Sequence, residues 1–337
     1  MGREPTVSAL PVTVVGGYLG AGKTTLLNEV LRRVGGPVDG VGSAGAVRRI
    51  GVVVNDFGEL GIDAGRLASS VGPDGLVNLA NGCVCCTLGD DLRSSLDVLA
   101  RLDPPLDHVV VEGSGVADPA ATAAWGTVAP FVPGGIVVLV AADTIRARLA
   151  DRYVGGEVRR QIEGADMVVL TKLDRCGVDG RSVAEGVVRS ITSAPIVVAD
   201  HGAIDVDLVL GPRPARDAPP PSTGEPRPER SDVGVHDTGD YVRWTFASDE
   251  PVALPALRAF LDSLGDSVLR AKGTAGAPDR EGGEPSVWVV DVVGRTVSVE
   301  RRTGSTRGVR LEVIGLAGSV VVADLDRRAA DVLASGV

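Results

Sequence analysis

A glycine-rich turn stands between an apolar run and an amphipathic run in residues 12–34, VTVVGGYLGAGKTTLLNEVLRRV. The apolar run is typical of a buried strand and the amphipathic run of a helix. The turn between them has the spacing Gly-x4-Gly-Lys-Thr, from Gly17 to Thr24. Glycines in such a turn let backbone amides point inward around phosphate oxygens, and the N-terminal end of the following helix adds positive partial charge. The sequence therefore predicts a strand, a phosphate-binding loop and a helix, which is the Walker A arrangement.

The polar side chains of this loop have separate expected roles. Lys23 is expected to reach the β- and γ-phosphates and to act catalytically by neutralising charge, while the Thr24 hydroxyl is expected to be a ligand of Mg²⁺. Thr25 is expected to contact the α-phosphate. The nucleotide-binding residues predicted in the loop are Gly17, Gly20, Ala21, Gly22, Lys23, Thr24 and Thr25.

Short runs rich in Val and Ile recur along residues 1–210, with helical patterns between them. Continuous apolar strands that alternate with helices are typical of a parallel sheet covered on both faces. We therefore predict an α/β fold for this region, a doubly wound parallel sheet of the P-loop NTPase type. The runs are VTVVGG, RRIGVVVNDF, DHVVVEGSG, GGIVVLVAAD, ADMVVLTKLD and APIVVAD.

The composition changes after residue 210. Residues 211–239 are dense in proline and charge and contain too little apolar surface to fold, so we expect a linker. Residues 240–337 again show strand and helix patterns, which predict a small C-terminal α+β domain.

An acidic residue ends the third apolar run, in the sequence DHVVVEGSGVADP. In P-loop proteins an acid at the end of a strand beside the phosphate loop polarises the Mg²⁺ shell or the attacking water. We expect Glu112 to have this catalytic role, with Asp56 as the other residue that could position the water. Gly115 then stands where a flexible glycine would sense the γ-phosphate. Asp56 also begins an Asp-Phe-Gly triplet, but the chain lacks the other protein-kinase sequences, so it is not a protein kinase.

The sequence VVLTKLD predicts which base is bound. It contains Thr171, Lys172 and Asp174 in the spacing [NT]KxD, as in GTPases. The Asp174 carboxylate can accept hydrogen bonds from the ring N–H and the exocyclic amine of guanine, while the stem of Lys172 packs on the base. Adenine offers no such pair of donors, so GTP is favoured over ATP.

Three of the four cysteines lie within four positions, in NGCVCCTL. Cys83, Cys85 and Cys86 are expected on an extended loop, where thiolates can bind a transition metal. Three thiolates leave one tetrahedral position open, which favours an exchangeable ion over a closed structural site. Two alternatives stay open, namely buried apolar cysteines and a redox or nucleophilic thiol.

The charge of the chain restricts its partners. The formal net charge is −10 and the isoelectric point is near 4.9, which repels nucleic acid and anionic lipid surfaces. We also find no secretory signal and no apolar run long enough for a membrane span. We therefore expect a cytoplasmic protein with no nucleic-acid or membrane partner.

Taken together, the sequence resembles the CobW-type metallochaperone GTPases. The resemblance depends on GGYLGAGKTT, VVNDFGELGID, NGCVCCTL, VEGSGVADP and TKLD in that order, and it continues weakly into VLRAKG and VIGLAG. In that family the GCxCC cluster binds a transition metal, and GTP binding and hydrolysis gate the transfer of the metal. The resemblance therefore implies a metal role for Cys83, Cys85 and Cys86 and a GTP role for the nucleotide-binding residues.

Three features of the sequence depart from the family pattern. Asp56 stands where members usually carry Glu, and Thr171 replaces the commoner Asn. The histidine-rich tract of many members is missing, since the chain holds only the scattered His108, His201 and His236.

The resulting expectation is a cytoplasmic, Mg²⁺-dependent GTPase that carries Zn²⁺, or next Co²⁺, and delivers it to a client protein. The first alternative is a non-catalytic, nucleotide-binding metal buffer or regulator. The second is a small-molecule kinase on the same fold. The sequence leaves the metal, the client and the oligomeric state open.

Overall fold

The computed structural model contains two compact units, one within Val7–Leu210 and one within Gly211–Val337. The residues that the structure describes are 10–35, 48–54, 68–71, 76–79, 84–87, 92–212, 241–250, 252–265, 267–277, 286–294, 296–304, 306 and 308–334. Most of the expected linker 211–239, namely residues 213–239, lies outside them.

The first unit is built on one sheet. Its strands are β1 Leu10–Gly16, β2 Ile50–Val54, β3 Ala68–Val71, β4 Leu76–Leu79, β5 Val84–Thr87, β6 His108–Glu112, β7 Phe131–Ala141, β8 Met167–Thr171 and β9 Ile196–Val198. The spatial order of these described strands is β3-β4-β5-β2-β6-β1-β7-β8-β9. From β5 to β9 neighbouring strands pair in parallel, whereas β4 runs antiparallel to both β3 and β5.

Helices cover this sheet on both faces. They are α1 Lys23–Gly35, α2 Leu92–Ala100, α3 Pro119–Ala123, α4 Ile145–Ala150, α5 Gly155–Glu163, α6 Gly180–Arg189 and α7 Val206–Leu210. Val12 and Val14 of β1 pack in one core cluster with Leu96 and Leu99 of α2, whereas Thr13 between them bonds to α7. Because successive side chains of a strand point to opposite faces, α2 and α7 lie on opposite sides of the sheet. The predicted doubly wound α/β fold is confirmed, with an antiparallel strand near one edge.

The strand order changes direction at β1. The chain first adds strands on the side of β6 and later on the side of β7, so β1 lies between the two halves of the sheet. In such sheets, ligands bind outside the carboxyl ends of the strands at this switch point. The loop from Gly17 to Gly22 follows β1 and therefore lies at that position.

The second unit has an antiparallel sheet with its own core. Its strands are β10 Tyr241–Ser248, β11 Val268–Gly276, β12 Ser286–Val293, β13 Thr296–Thr303 and β14 Val309–Leu316, in the spatial order β10-β14-β11-β12-β13. Its helices are α8 Leu254–Asp262 and α9 Val322–Ala334. Trp244, Phe260 and Leu325 share one buried cluster, so both helices pack on the same face of the sheet. No helix in the described part of the chain combines the length and apolar character needed to cross a membrane.

Candidate nucleotide-binding site

The loop after β1 turns in a way that favours glycine at three positions. Gly17, Gly20 and Gly22 have φ angles of 130°, 77° and 100°. Residues other than glycine rarely adopt such positive values. At Gly17 space is lacking as well, because a Cβ there would come 2.5 Å from the carbonyl oxygen of Leu139 in β7. The Gly-x4-Gly-Lys-Thr spacing thus coincides with a backbone path that only glycine follows without strain.

Lys23 begins α1, and its side chain folds back over the loop. Its Nζ donates a hydrogen bond to the carbonyl oxygen of Gly17 at 2.8 Å, and the residue is buried. The ammonium group therefore adds its charge to the positive end of the helix dipole. Together they form a site suited to an anion such as a phosphate group.

Glu112 ends β6 and lies between β1 and β2, opposite Val15 and Val54. The Thr24 hydroxyl donates a hydrogen bond to Glu112 Oε1 at 3.0 Å, and Glu112 is 5% exposed. Mg²⁺ prefers oxygen ligands and usually binds one or two protein groups together with substrate phosphates. A hydroxyl and a carboxylate side by side at the phosphate loop therefore fit a Mg²⁺ ion.

The segment after Glu112 packs against the phosphate loop. Gly113 donates a backbone hydrogen bond to the carbonyl oxygen of Val15 at 2.9 Å. Two residues further, a Cβ on Gly115 would come 2.8 Å from the backbone nitrogen of Leu19 and 2.6 Å from its Cδ2. A side chain at position 115 would not fit, because the segment after Glu112 touches the phosphate loop there. Gly115 therefore lies against the loop that would hold the phosphates.

The predicted base-binding residues follow β8. Thr171 is buried, and its hydroxyl donates a hydrogen bond to the carbonyl oxygen of Ala21 at 2.8 Å. Lys172 has a positive φ of 58°, and its Nζ lies 4.0 Å from where a Cβ of Gly20 would be. Asp174 is in a short 3₁₀ turn with its side chain 42% exposed. Thr171 thus connects β8 to the phosphate loop, Lys172 lies near Gly20 of that loop, and Asp174 follows two residues later.

Sequence reasoning missed one segment at this edge, residues 199–203. Gly202 has a φ of 83°, and a Cβ there would come 3.0 Å from Cγ2 of Thr25. His201, which precedes it, is exposed and also has a positive φ, of 48°. The signal in the sequence was a glycine two residues after the last apolar run, since the carboxyl ends of parallel strands meet at one edge of the sheet.

The cysteine cluster is described only in part. Cys85 and Cys86 belong to β5, where they pair with Val52 and Val53 of β2, so they lie in a strand between β4 and β2 instead of an extended loop. Cys83 lies outside the described residues, and so does Asp56. Among the side chains that are described, no three His, Cys, Asp or Glu groups lie close enough to hold a metal ion.

The strand register nevertheless relates β5 to the nucleotide side. Thr87 pairs with Val54, and Val54 pairs with Glu112, so β5 ends in the same cross-strand row as Glu112. Two strand spacings correspond to about 10 Å between the backbones. The backbone of Thr87 is therefore about 10 Å from that of Glu112, and Cys86 precedes Thr87 by one residue.

Comparisons with known proteins agree with this architecture. Residues 11–198 match the family model for the CobW/HypB/UreG nucleotide-binding domain, and residues 241–329 match the cobalamin synthesis protein CobW C-terminal domain. A zinc chaperone CobW from Sinorhizobium sp. is 30% identical, with 91% of this chain and 93% of that protein aligned. A zinc chaperone CobW from Pseudomonas aeruginosa is 32% identical over 92% of this chain and 88% of that protein.

One similar solved structure is the Zn(II)-bound YjiA GTPase from E. coli. It is 24% identical, the alignment covers 96% of this chain and 99% of that chain, and the TM-score is 0.46. The two family models match parts of both units, and the first contains the phosphate loop, Glu112, Gly115 and the residues that follow β8. The chain therefore belongs to the CobW/HypB/UreG family, with a CobW C-terminal domain.

Proposed function

We propose that the protein is a Mg²⁺-dependent GTPase that carries a divalent transition metal and transfers it to a client protein. The observation that carries the nucleotide part is the hydrogen bond between Thr24 and Glu112, at 3.0 Å, next in sequence to the buried Lys23, whose ammonium group bonds to Gly17 of the phosphate loop. An oxygen pair for Mg²⁺ and a cation for phosphate oxygens are two of the elements that phosphoryl transfer needs.

Each residue has a distinct role in hydrolysis. Lys23 neutralises charge that develops on the β- and γ-phosphate oxygens, and Thr24 holds Mg²⁺. Glu112 already accepts the Thr24 hydroxyl and is almost fully buried, so we assign it to the Mg²⁺ shell. We therefore assign the orientation of the attacking water to Asp56. When bound, Mg²⁺ supplies Lewis-acid stabilisation of the phosphate charge.

Specificity for guanine is assigned to the end of β8. Asp174 accepts the two guanine donors, and the stem of Lys172 packs on the base. The hydrogen bond from Thr171 to Ala21 fixes this segment relative to the phosphate loop. Relatives that are named zinc-regulated GTPases support this choice of nucleotide.

The metal is assigned to Cys83, Cys85 and Cys86. Thiolates are strong ligands for Zn²⁺ and related ions, and several relatives are named zinc chaperones. Zn²⁺ is therefore the first choice and Co²⁺ the second. Because β5 is hydrogen-bonded to β2, which pairs with β6 up to Glu112, a nucleotide-dependent shift of this edge would reach the thiols.

We assign the transfer to the cytoplasm and propose the C-terminal domain as the surface that binds the client. The competing function is a non-catalytic metal buffer that uses nucleotide only as a structural ligand. Multiple turnovers of GTP by the wild-type protein, together with their loss in Lys23→Ala, distinguish the two. Nucleotide binding without any turnover would favour the buffer.

The proposed metal transfer is tested by measuring whether the bound nucleotide changes the affinity for Zn²⁺. Zn²⁺ is titrated into the protein with Mg²⁺GDP and with a non-hydrolysable GTP analogue, and we expect affinities that differ by a factor on the order of 5 to 150. The triple variant C83S/C85S/C86S should lose the tight site and the difference together, whereas the single variant C176S should keep both. Equal affinity in the two nucleotide states would remove the case for a GTP-gated transfer, since a ligand that does not distinguish two states cannot drive one from the other.

A further inference from the structure

A buried glutamine on α5 holds the segment that follows Glu112. Gln161 is 2% exposed. Its side-chain nitrogen donates hydrogen bonds to the carbonyl oxygens of Gly115, at 3.2 Å, and of Ala117, at 3.0 Å. The same nitrogen also lies 3.5 Å from Oε1 of Glu157 on its own helix, so its two shorter hydrogen bonds are those to this one stretch of backbone.

That stretch is a turn with the phosphate loop on its other side. Ala117 donates a backbone hydrogen bond to Ser114 at 3.0 Å, which closes the turn. Gly115 within it lies against the backbone of Leu19 in the phosphate loop. The turn is thus held between the phosphate loop and α5, and Gln161 provides side-chain hydrogen bonds from α5.

The chemistry of this contact is specific to a carboxamide of this length. A carbonyl oxygen only accepts hydrogen bonds, so two carbonyls need two donors, and the NH₂ group of glutamine has two. Glutamate would place oxygen against oxygen, methionine has no donor, and asparagine is one methylene shorter. Burial makes each replacement costly, because a buried carbonyl that loses its partner costs free energy.

Helix α5 is also linked to the phosphate loop through the strand that follows it, β8. The helix ends at Glu163, and β8 begins at Met167 and ends at Thr171, whose hydroxyl bonds to Ala21 of the phosphate loop. Gln161 and Thr171 therefore attach the same helix–strand unit to two loops of the site, the turn at Gly115 and the loop at Ala21.

We propose that Gln161 is a positioning residue that keeps the Gly115 turn against the phosphate loop and thereby sets the preference for GTP over GDP. The inference rests on the proposed function, because it takes Gly115 as the group that meets the γ-phosphate. A turn that is already held in place costs less entropy to order when the triphosphate binds. GDP lacks the γ-phosphate and gains nothing from the turn.

The test compares two nucleotides on variants of the full chain. Dissociation constants for Mg²⁺GDP and for a non-hydrolysable Mg²⁺GTP analogue are measured for wild type and for Gln161→Met. We expect the analogue to bind on the order of 10-fold more weakly, since two hydrogen bonds are lost, while GDP affinity stays within about 2-fold of wild type. The matched control is Glu163→Gln, an exposed change on the same helix, which should alter neither constant.

A purely structural role predicts a different result. Equal weakening of both nucleotides, or no change in either, overturns the proposal. If Gln161→Met does not fold, Gln161→Asn retains a carboxamide that is too short to reach both carbonyls and is measured in its place. Failure of the proposed function is separate, because it appears as wild-type protein that binds guanine nucleotides without turning over GTP.

Discussion

At the scale of single residues, substitutions at two glycines test the contact between the phosphate loop and the segment after Glu112. A Cβ on Gly115 would come 2.8 Å from the backbone nitrogen of Leu19, whereas a Cβ on Gly113 would be 3.7 Å from its nearest neighbour, the carbonyl oxygen of Val15. The first distance forces backbone to move, and the second is an ordinary contact. We expect Gly115→Ala to lower kcat for GTP at least about 10-fold, since small displacements of reacting groups are costly.

Gly113→Ala should keep kcat within about 2-fold, because the added methyl group forces no backbone shift. Both variants are compared by steady-state hydrolysis with GDP affinity measured alongside. A Gly115→Ala protein as active as Gly113→Ala would mean that the two loops do not need to touch during turnover.

Asp174 allows a second test at this scale, in which the base is exchanged. Asp174→Ala should abolish the preference for GTP over ATP, because both guanine donors lose their acceptor. Asp174→Asn replaces one carboxylate oxygen by an NH₂ donor, which matches the carbonyl that xanthine carries in place of the guanine amine. We expect Asp174→Asn to bind XDP at least about 10-fold better than wild type does. The variant removes the mismatch between the carboxylate and the xanthine carbonyl, and a 10-fold change in affinity corresponds to roughly 1.4 kcal/mol. Unchanged competition by GDP, XDP and ADP in these variants would show that the base lies elsewhere.

At the scale of elements, β1 and β7 join through an irregular register. Val12 pairs with Pro133 and Val14 with Ile136, so two glycines, 134 and 135, lie opposite Thr13. The Thr13 hydroxyl is within 2.8 Å of the Gly134 carbonyl oxygen, 3.1 Å of the Val209 carbonyl oxygen and 2.9 Å of Nε2 of His108. The carbonyls can only accept, so the one hydroxyl proton is shared between them, and the hydroxyl oxygen accepts a hydrogen bond from Nε2 of His108.

This cluster predicts a large effect of a small change. Thr13→Val keeps the volume but removes the hydroxyl, so three buried groups each lose one partner. We expect the free energy of unfolding to fall by about 1–3 kcal/mol, measured by denaturant titration. Thr13→Ser keeps the hydroxyl and should lose less, and a larger loss for Ser than for Val would show that the methyl group matters more than the bonds.

Helix α1 carries an ion-pair cluster that gives a pH-dependent prediction. Hydrogen bonds from Arg32, together with Arg33, lower the pKa of Glu29 from 4.5 to about 2, and the carboxylate lies 2.7 and 2.6 Å from the two guanidinium groups. A carboxyl group whose pKa is lower in the folded state stabilises the fold above its unfolded pKa. This stabilisation is lost as the pH falls toward the folded pKa.

Glu29→Gln should therefore destabilise the protein near neutral pH. Both arginines are partly exposed, so we expect about 1 kcal/mol. The difference from wild type should shrink as the pH falls from 4.5 toward about 2. A difference that stays constant over this window in denaturant titrations would mean that the loss comes from packing instead of charge.

At the scale of the whole molecule, the two units have separate cores. The cluster around Trp244 and Leu257 contains buried residues only from the second unit, and all the predicted nucleotide-binding residues are in the first. We therefore expect calorimetry to show two unfolding transitions, of which Mg²⁺GDP shifts one. Ligand at a thousand times its Kd stabilises the binding unit by about 4 kcal/mol. A single transition that shifts as a whole would show that the units unfold together.

The sequence by itself determined the phosphate loop and the fold class. The glycine spacing at Gly17, Gly20 and Gly22 is a local signal, because φ angles and the flanking strand and helix are properties of neighbouring residues. The Val- and Ile-rich runs likewise indicated strands of a buried parallel sheet. These predictions needed no knowledge of which strands are neighbours.

The tertiary structure decided which distant residues meet. Gln161 contacts Gly115 across 46 positions, and Thr171 contacts Ala21 across 150. Neither contact has a local sequence signal, because each joins segments that only the order of the strands brings together. The same holds for Cys85 and Cys86, whose short apolar segment was expected on a loop but pairs between β2 and β4. Strand order is set by the packing of the whole sheet, so the contacts that position this site could be found only in the folded chain, although Thr171 itself was predicted from the sequence.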